Sequence, residues 1–260
     1  MHEPENPGKA EICAVHLEEK MKYSLLVLML VALVFVQSCK NDEDDNSSPY
    51  HFQNMNEFID FMNQHECGCY LYIVDNPEDK SQMYAQFEVD LLPDDLTEND
   101  TFSLLLNDVE VPMWWDSEYG RLDSDGATLP QATSIKVEFK RNNTVIFDKT
   151  ISVPGYPQLA ELASFPVFTA PLTLSWSLNR NSHFQVLSMY VENSSSDRYK
   201  SYYLSPTARS CEIPANTFTL SNVNAYEAYI DEINIAEHNN CAFAVCTYDG
   251  IWDYLDGKSL

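Results

Sequence analysis

Glycine is scarce in this chain, at 7 of 260 residues, under half the usual share of about 7%. Loops that cradle phosphates need several glycines close together. No GxGxxG, GxxxxGK or GxSxG frame occurs, and neither does the zinc-protease frame HExxH. Bases are few as well: 15 Lys and Arg stand against 40 Asp and Glu, a formal charge of −25. A surface that negative repels phosphate backbones and argues against nucleic acid as a partner. It serves solubility first, and leaves room for divalent cations or basic partners.

What is present is apolar enough to fold. Hydrophobic residues make up 45% and charged residues 21%, so the chain can bury a core in one large domain or two small ones. Fifteen tyrosines lift the aromatics to 12%, and tyrosine suits half-buried strand faces. The composition points towards β structure.

Residues 25–36 read LLVLMLVALVFV, twelve apolar residues without a charge. That is short of the roughly 20 a spanning helix needs, and it fits the centre of a secretory signal. Met21 and Lys22 supply its positive start, whereas residues 1–20 are acidic and are expected to be a spurious upstream extension. The run ends in Val36-Gln37-Ser38-Cys39. This resembles the lipobox of bacterial lipoproteins, although Gln37 departs from the common small or apolar residue. The resemblance implies a signal peptide at 21–38, cleavage before Cys39 and a diacylglycerol on its thiol, with further acylation making the anchor stable. Lys40 to Asp45 then reads KNDEDD, a solvated acidic tether over 39–50. A cysteine followed by a short acidic cluster also resembles the surface-export signal of Bacteroidetes lipoproteins. What that implies is a lipid anchor in the outer membrane facing the cell surface; a tether facing the periplasm is the alternative.

Beyond the tether, Met55, Phe58, Ile59 and Met62 share one face of a helix expected over 54–64, with Phe52 stapling its start and Gly68 following its end. Strands dominate from there. Met83, Ala85, Phe87, Val89 and Leu91 alternate with polar neighbours. Ile135, Val137 and Phe139 do the same, and Arg141-Asn142-Asn143 suits a hairpin turn into 144–153. Pro154-Gly155-Tyr156-Pro157 breaks the pattern. The expected organisation is a β-rich domain at 51–156, a linker at 157–168 with a helical turn over 159–163, and a second domain at 169–256. Leu172, Leu174, Trp176 and Leu178 open that second half, with further strands expected at 184–192, 198–204, 217–220, 225–231 and 241–248. The opening strand with its tryptophan resembles that of fibronectin type III and related Ig-like modules, and Ile213-Pro214-Ala215-Asn216 resembles a strand–turn step of secreted bacterial Ig-like domains. The fold class is therefore expected to be mainly β, two β-sandwich-like modules after a short helix.

Five cysteines lie beyond Cys39: Cys67, Cys69, Cys211, Cys241 and Cys246. Cys241 and Cys246 share one apparent strand, about 16 Å apart when extended, and so do not pair with each other. If a bridge exists, Cys211 with Cys241 or Cys246 is the reachable one; small buried hydrophobes are the alternative. His65-Glu66-Cys67-Gly68-Cys69 has C-x-C spacing and no second cluster. It reads as a helix end leading into a core strand rather than a zinc site.

The most suggestive loop is MWWDSEYGRLDSDG, residues 113–126. Trp114 and Trp115 are adjacent, so in a strand one faces each way. An exposed ring from Trp114, Trp115 or Tyr119 beside Asp116 and Glu118 makes a candidate sugar platform, on which apolar C–H faces stack while hydroxyls bond to carboxylates. A core tryptophan and a solvated turn are the alternative. Asp123-Ser124-Asp125-Gly126 resembles half a calcium loop, but the EF-hand frame would place Arg121 first and Ala132 last, where acids are required. No cofactor is expected, and a calcium site outside that frame stays open. His51, His65, His183 and His238 fall in no recognised catalytic frame. The expected role is non-catalytic: a cell-envelope lipoprotein that holds a glycan or protein partner. A pilus or adhesion subunit is the second class, by analogy with β-sandwich fimbrial lipoproteins, and a hydrolase the third.

Overall fold

The structure is a computed structural model that describes residues 50–76, 79–91, 99–116, 121–124 and 126–254. The signal peptide, Cys39, nearly all of the tether, Glu118 and Tyr119 lie outside the described residues, as does the side chain of Asp116.

The helix forms as expected, as α1 (Met55–Met62). Asn54 caps it: its side chain accepts from the Glu57 amide at 3.1 Å, while Glu57 reaches back to the Gln53 amide at 2.8 Å. Phe52 packs on Phe58, ring centres 5.3 Å apart. The chain then runs through β1 (Cys67–Asp75), β2 (Gln82–Leu91), β3 (Phe102–Leu106) and β4 (Val109–Val111). Short strands β5 (Met113–Asp116), β6 (Arg121–Ser124) and β7 (Ala127–Pro130) precede the hairpin β8 (Ser134–Arg141) and β9 (Thr144–Ser152). After these come β10 (Pro157–Leu159), β11 (Leu172–Leu178), β12 (Phe184–Asn193), β13 (Ser196–Leu204) and β14 (Ser210–Ile213). Two long strands, β15 (Ala225–His238) and β16 (Cys241–Tyr254), close the fold.

The chain is mainly β and sandwich-like. Among the described residues the largest sheet has nine strands in the order β13-β12-β15-β16-β1-β2-β6-β5, with β7 also on β2. Strands β4-β3-β8-β9 form a second sheet, and β10-β11-β14 a third. Both smaller sheets pack on the same face of the large one. Phe87 and Phe243 of the large sheet meet Phe139 and Phe147 of the second sheet in one core. Leu187, Met189, Ala228 and Ile230 meet Leu174, Trp176 and Ile213 of the third in another. Between the two cores runs a buried polar seam. Gln185, Glu232 and Thr247 sit side by side on β12, β15 and β16. Trp176 Nε1 donates to Gln185 at 3.0 Å, and Thr247 Oγ1 donates to the Gly155 carbonyl at 2.6 Å.

The expected division at 157–168 does not divide the sheets. Strand β1, from the first half, pairs in parallel with β16, from the second. Residues 159–163 form no helical turn: Pro157 to Leu159 pairs with β11, and Leu159 is buried in the second core. Nor is 217–220 a strand. Thr217 closes a turn instead, its amide donating to the Pro214 carbonyl at 3.2 Å, with Asn216 at φ 60°. The scarcity of glycine shows in the turns. Of the eight described non-glycine residues at positive φ, seven are asparagine, and the pairs Asn107-Asp108, Asn142-Asn143 and Asn239-Asn240 each close a two-residue hairpin.

Candidate functional site

The face of the large sheet opposite the two cores is the candidate site. Side chains alternate along a strand, so the inward run Cys241, Phe243, Val245, Thr247 leaves Ala242, Ala244, Cys246, Tyr248, Gly250, Trp252 and Tyr254 outward. One end of this outer face is covered by α1, where Phe58 and Met62 pack with Tyr70, Phe184, Ile233 and Ala244. The other end is not covered by the helix.

Strand register places the uncovered residues in rows. Tyr203, Val186, Asp231 and Tyr248 form one row. Ser201, Ser188, Tyr229 and Gly250 form the next, and Tyr199, Tyr190, Glu227 and Trp252 the one after. The hydroxyls are bonded within the face: Tyr229 donates to Glu227 at 2.8 Å, Tyr190 to Glu192 at 3.2 Å, and Ser201 to Tyr199 at 2.6 Å. Trp252 is 62% exposed, Tyr248 38% and Tyr84 of β2 37%. The result is an aromatic ledge fringed with Glu192, Asp197, Glu227 and Asp231, and these outward rows of β12, β13, β15 and β16 carry no Lys or Arg.

Burial sets the electrostatics. It pushes the Asp231 carboxyl up to about 7. It also raises the Tyr229 phenol, with the Glu227 charge adding to the effect, and the Tyr248 phenol, with Asp231 adding. These hydroxyls therefore remain protonated donors at neutral pH. An aromatic plane with phenol donors and carboxylate acceptors beside it can stack on the C–H face of a sugar ring and bond its hydroxyls.

The tryptophans singled out in the sequence divide as two faces of one strand require. Trp115 pairs with Leu122 on the core side and is partly buried. Trp114 points to the outer face and is 43% exposed. It stands on the edge strand β5, four strands from β16, in the row that runs through Asp123, Glu88 and Tyr70 to Ala244, the end of the face that α1 covers and well away from Trp252. Trp114 thus lies on the outer face but apart from the Trp252 ledge, and it forms no pocket with Trp115. Ser124 is buried in β6, where its hydroxyl donates to the Phe87 carbonyl at 2.9 Å. The ledge itself was missed in the sequence. Its signal was there: Tyr248, Trp252 and Tyr254 recur at even positions along β16, opposite Asp249, Ile251 and Asp253 at odd ones.

Other polar groupings are local. His65 is held by the Phe61 carbonyl at 3.0 Å and by Glu237 at 3.2 Å. Cys241 and Cys246 are not in disulfides. They face opposite sides of β16, Cys241 into the first core and Cys246 towards α1, whereas Cys211 lies in the second core. The pairing of Cys211 with either is therefore not formed. An open cleft of about 640 Å³ lies beside the seam, lined by Gln131, Thr133, Ser134, Tyr156, Asn179 and Arg180. Among the described residues, no group of three or more His, Cys, Asp or Glu is placed to hold a metal. No family model matches the chain, and no similar curated protein was found.

Proposed function

We propose that this protein is a cell-envelope lipoprotein, anchored through Cys39 in the outer membrane and facing outward, whose outer sheet face binds a neutral glycan without chemically changing it. The observation that carries this reading is the exposed ledge of Trp252 and Tyr248, bordered by Glu227 and Asp231 and extended by Tyr84. The glycan is neutral because the fringe is acidic: a uronic or sialic acid would meet the carboxylates of Glu192, Asp197 and Glu227 and no outward base.

A glycan-array screen of the whole chain, followed by calorimetric titration of the best binder, tests it. Trp252→Ala is expected to weaken binding at least about tenfold, or roughly 1.4 kcal/mol, with the melting temperature little changed because the ring is exposed. Retention of no glycan, or equal binding by Trp252→Ala, overturns the reading.

A further inference from the structure

Cys67 and Cys241 are directly opposed on the parallel pair β1–β16, and both side chains enter the first core. Cys69, two residues on, points the same way, with its sulfur 3.3 Å from that of Cys67. The Cys67 and Cys241 thiols are hydrogen-bonded to each other. None of the three is in a disulfide. Neighbouring strands lie about 4.8 Å apart, inside the window of about 4.4–6.8 Å between Cα atoms that a disulfide needs. The core also opens at this point: a groove of about 270 Å³ is lined by Glu66, Cys67, Arg141, Val145, Asn239 and Cys241. Both residues of the pair thus line a groove at the edge of the core, though each is almost fully buried.

We propose that Cys67 and Cys241 are a redox pair that closes to a disulfide tying β1 to β16, by exchange with an external disulfide of the glutathione class. One cysteine thiolate attacks the external disulfide, forming a mixed disulfide and releasing one small thiol. The second cysteine then attacks the mixed disulfide at the protein sulfur and releases the other. The two protein sulfurs lose two electrons, the external disulfide gains them, and the two thiol protons end on the released thiols. Cys69 touches Cys67 but stands on the same strand, so a bond to it would not tie β1 to β16. Cys246 takes no part, since it faces the opposite side of β16.

The surroundings set the timing. The hydrogen bond with Cys241 favours the Cys67 thiolate, but contact with Cys69 and burial outweigh it and hold the thiol well above its ordinary range. Cys241 is raised too, first by its bond to Cys67 and then by burial. Exchange in the folded protein is therefore slow, and the bond forms fastest while β1 and β16 are docking.

The test is refolding of the whole chain from denaturant in mixed oxidised and reduced glutathione, followed by proteolysis and mass spectrometry without reductant. The expected product is a linked peptide pair containing Cys67 and Cys241, with a melting temperature about 5–10 °C above that of the reduced chain. Cys67→Ala and Cys241→Ala, small apolar replacements suited to the core, each abolish the linked pair and the rise in melting temperature, while Cys246→Ala leaves both. A Cys67–Cys69 bridge, glutathione left on Cys67, or alkylation of all three thiols after refolding in excess oxidised glutathione overturns the proposal.

Discussion

The ring of Tyr229 lies over Gly250, so close that a Cβ at position 250 would stand 2.5 Å from ring carbon Cδ1. The two residues are directly paired across β15 and β16, so the glycine is what lets the ring lie down on the sheet. Gly250→Ala forces the ring to tilt, away from the hydroxyl bond to Glu227. The expected cost is about 1–3 kcal/mol of stability, together with weaker glycan binding, because Tyr229 lies one row from both Tyr248 and Trp252. Urea denaturation reads the first effect and calorimetry the second. If Gly250→Ala matches the parent chain in both, the ring does not shape the ledge.

Glu232 in the seam is fully buried, and Ser182 donates to one of its oxygens. Desolvation pushes its carboxyl up from 4.5 to about 8, against smaller lowering effects from Ser182 and Arg209. Between those values the folded protein keeps a proton that the unfolded chain has released, so stability falls as pH rises. Asp231 acts in the same direction, raised to about 7 by burial. Glu232→Gln, which has no proton to lose, is expected to shrink the drop in unfolding free energy between pH 5 and pH 9 by roughly 2–4 kcal/mol. Urea midpoints for both chains across that range give the answer, and parallel pH profiles would show that Glu232 is not the titrating group.

The turn Asn142-Asn143 has φ of 50° and 64°. Asn142 also accepts from the Thr101 amide at 2.8 Å, whereas Asn143 is exposed. Asn143→Ala is expected to cost about 1–2 kcal/mol through left-handed backbone strain alone, and Asn143→Gly to be neutral or slightly stabilising. Asn142→Ala should cost more than Asn143→Ala, since it also strips the Thr101 amide of its acceptor. Chemical denaturation of the three variants ranks them, and equal costs for the two alanine variants would contradict the assigned role of Asn142.

Strands β2, β8, β9 and β11 are legible in the sequence because one face of each is buried and the other solvated, which leaves a period of two. The hairpin at Asn142-Asn143 is legible because asparagine tolerates positive φ. The pairing of β1 with β16 is not, because a parallel neighbour so distant in the chain leaves no local trace. That one contact turns two expected modules into halves that share a sheet. The ends of β15 and β16 are hidden for another reason: their outward residues include Tyr229, Tyr248 and Trp252, so core and surface look alike. For the same reason only Trp114 of the outer face stood out. Adjacent tryptophans draw the eye, whereas a ledge assembled from four strands exists only once their register is known.

The place of β1 in the sheet bears on how the protein is made. It lies between β2, its neighbour in sequence, and β16, which is synthesised long after it. Until β16 arrives, one edge of β1 has no partner, and the Phe87–Phe243 contact at the heart of the first core does not exist. A pairing of such long range closes late and slowly. The nascent chain is therefore unable to lock its central sheet before β16 has emerged, and it stays threadable until then.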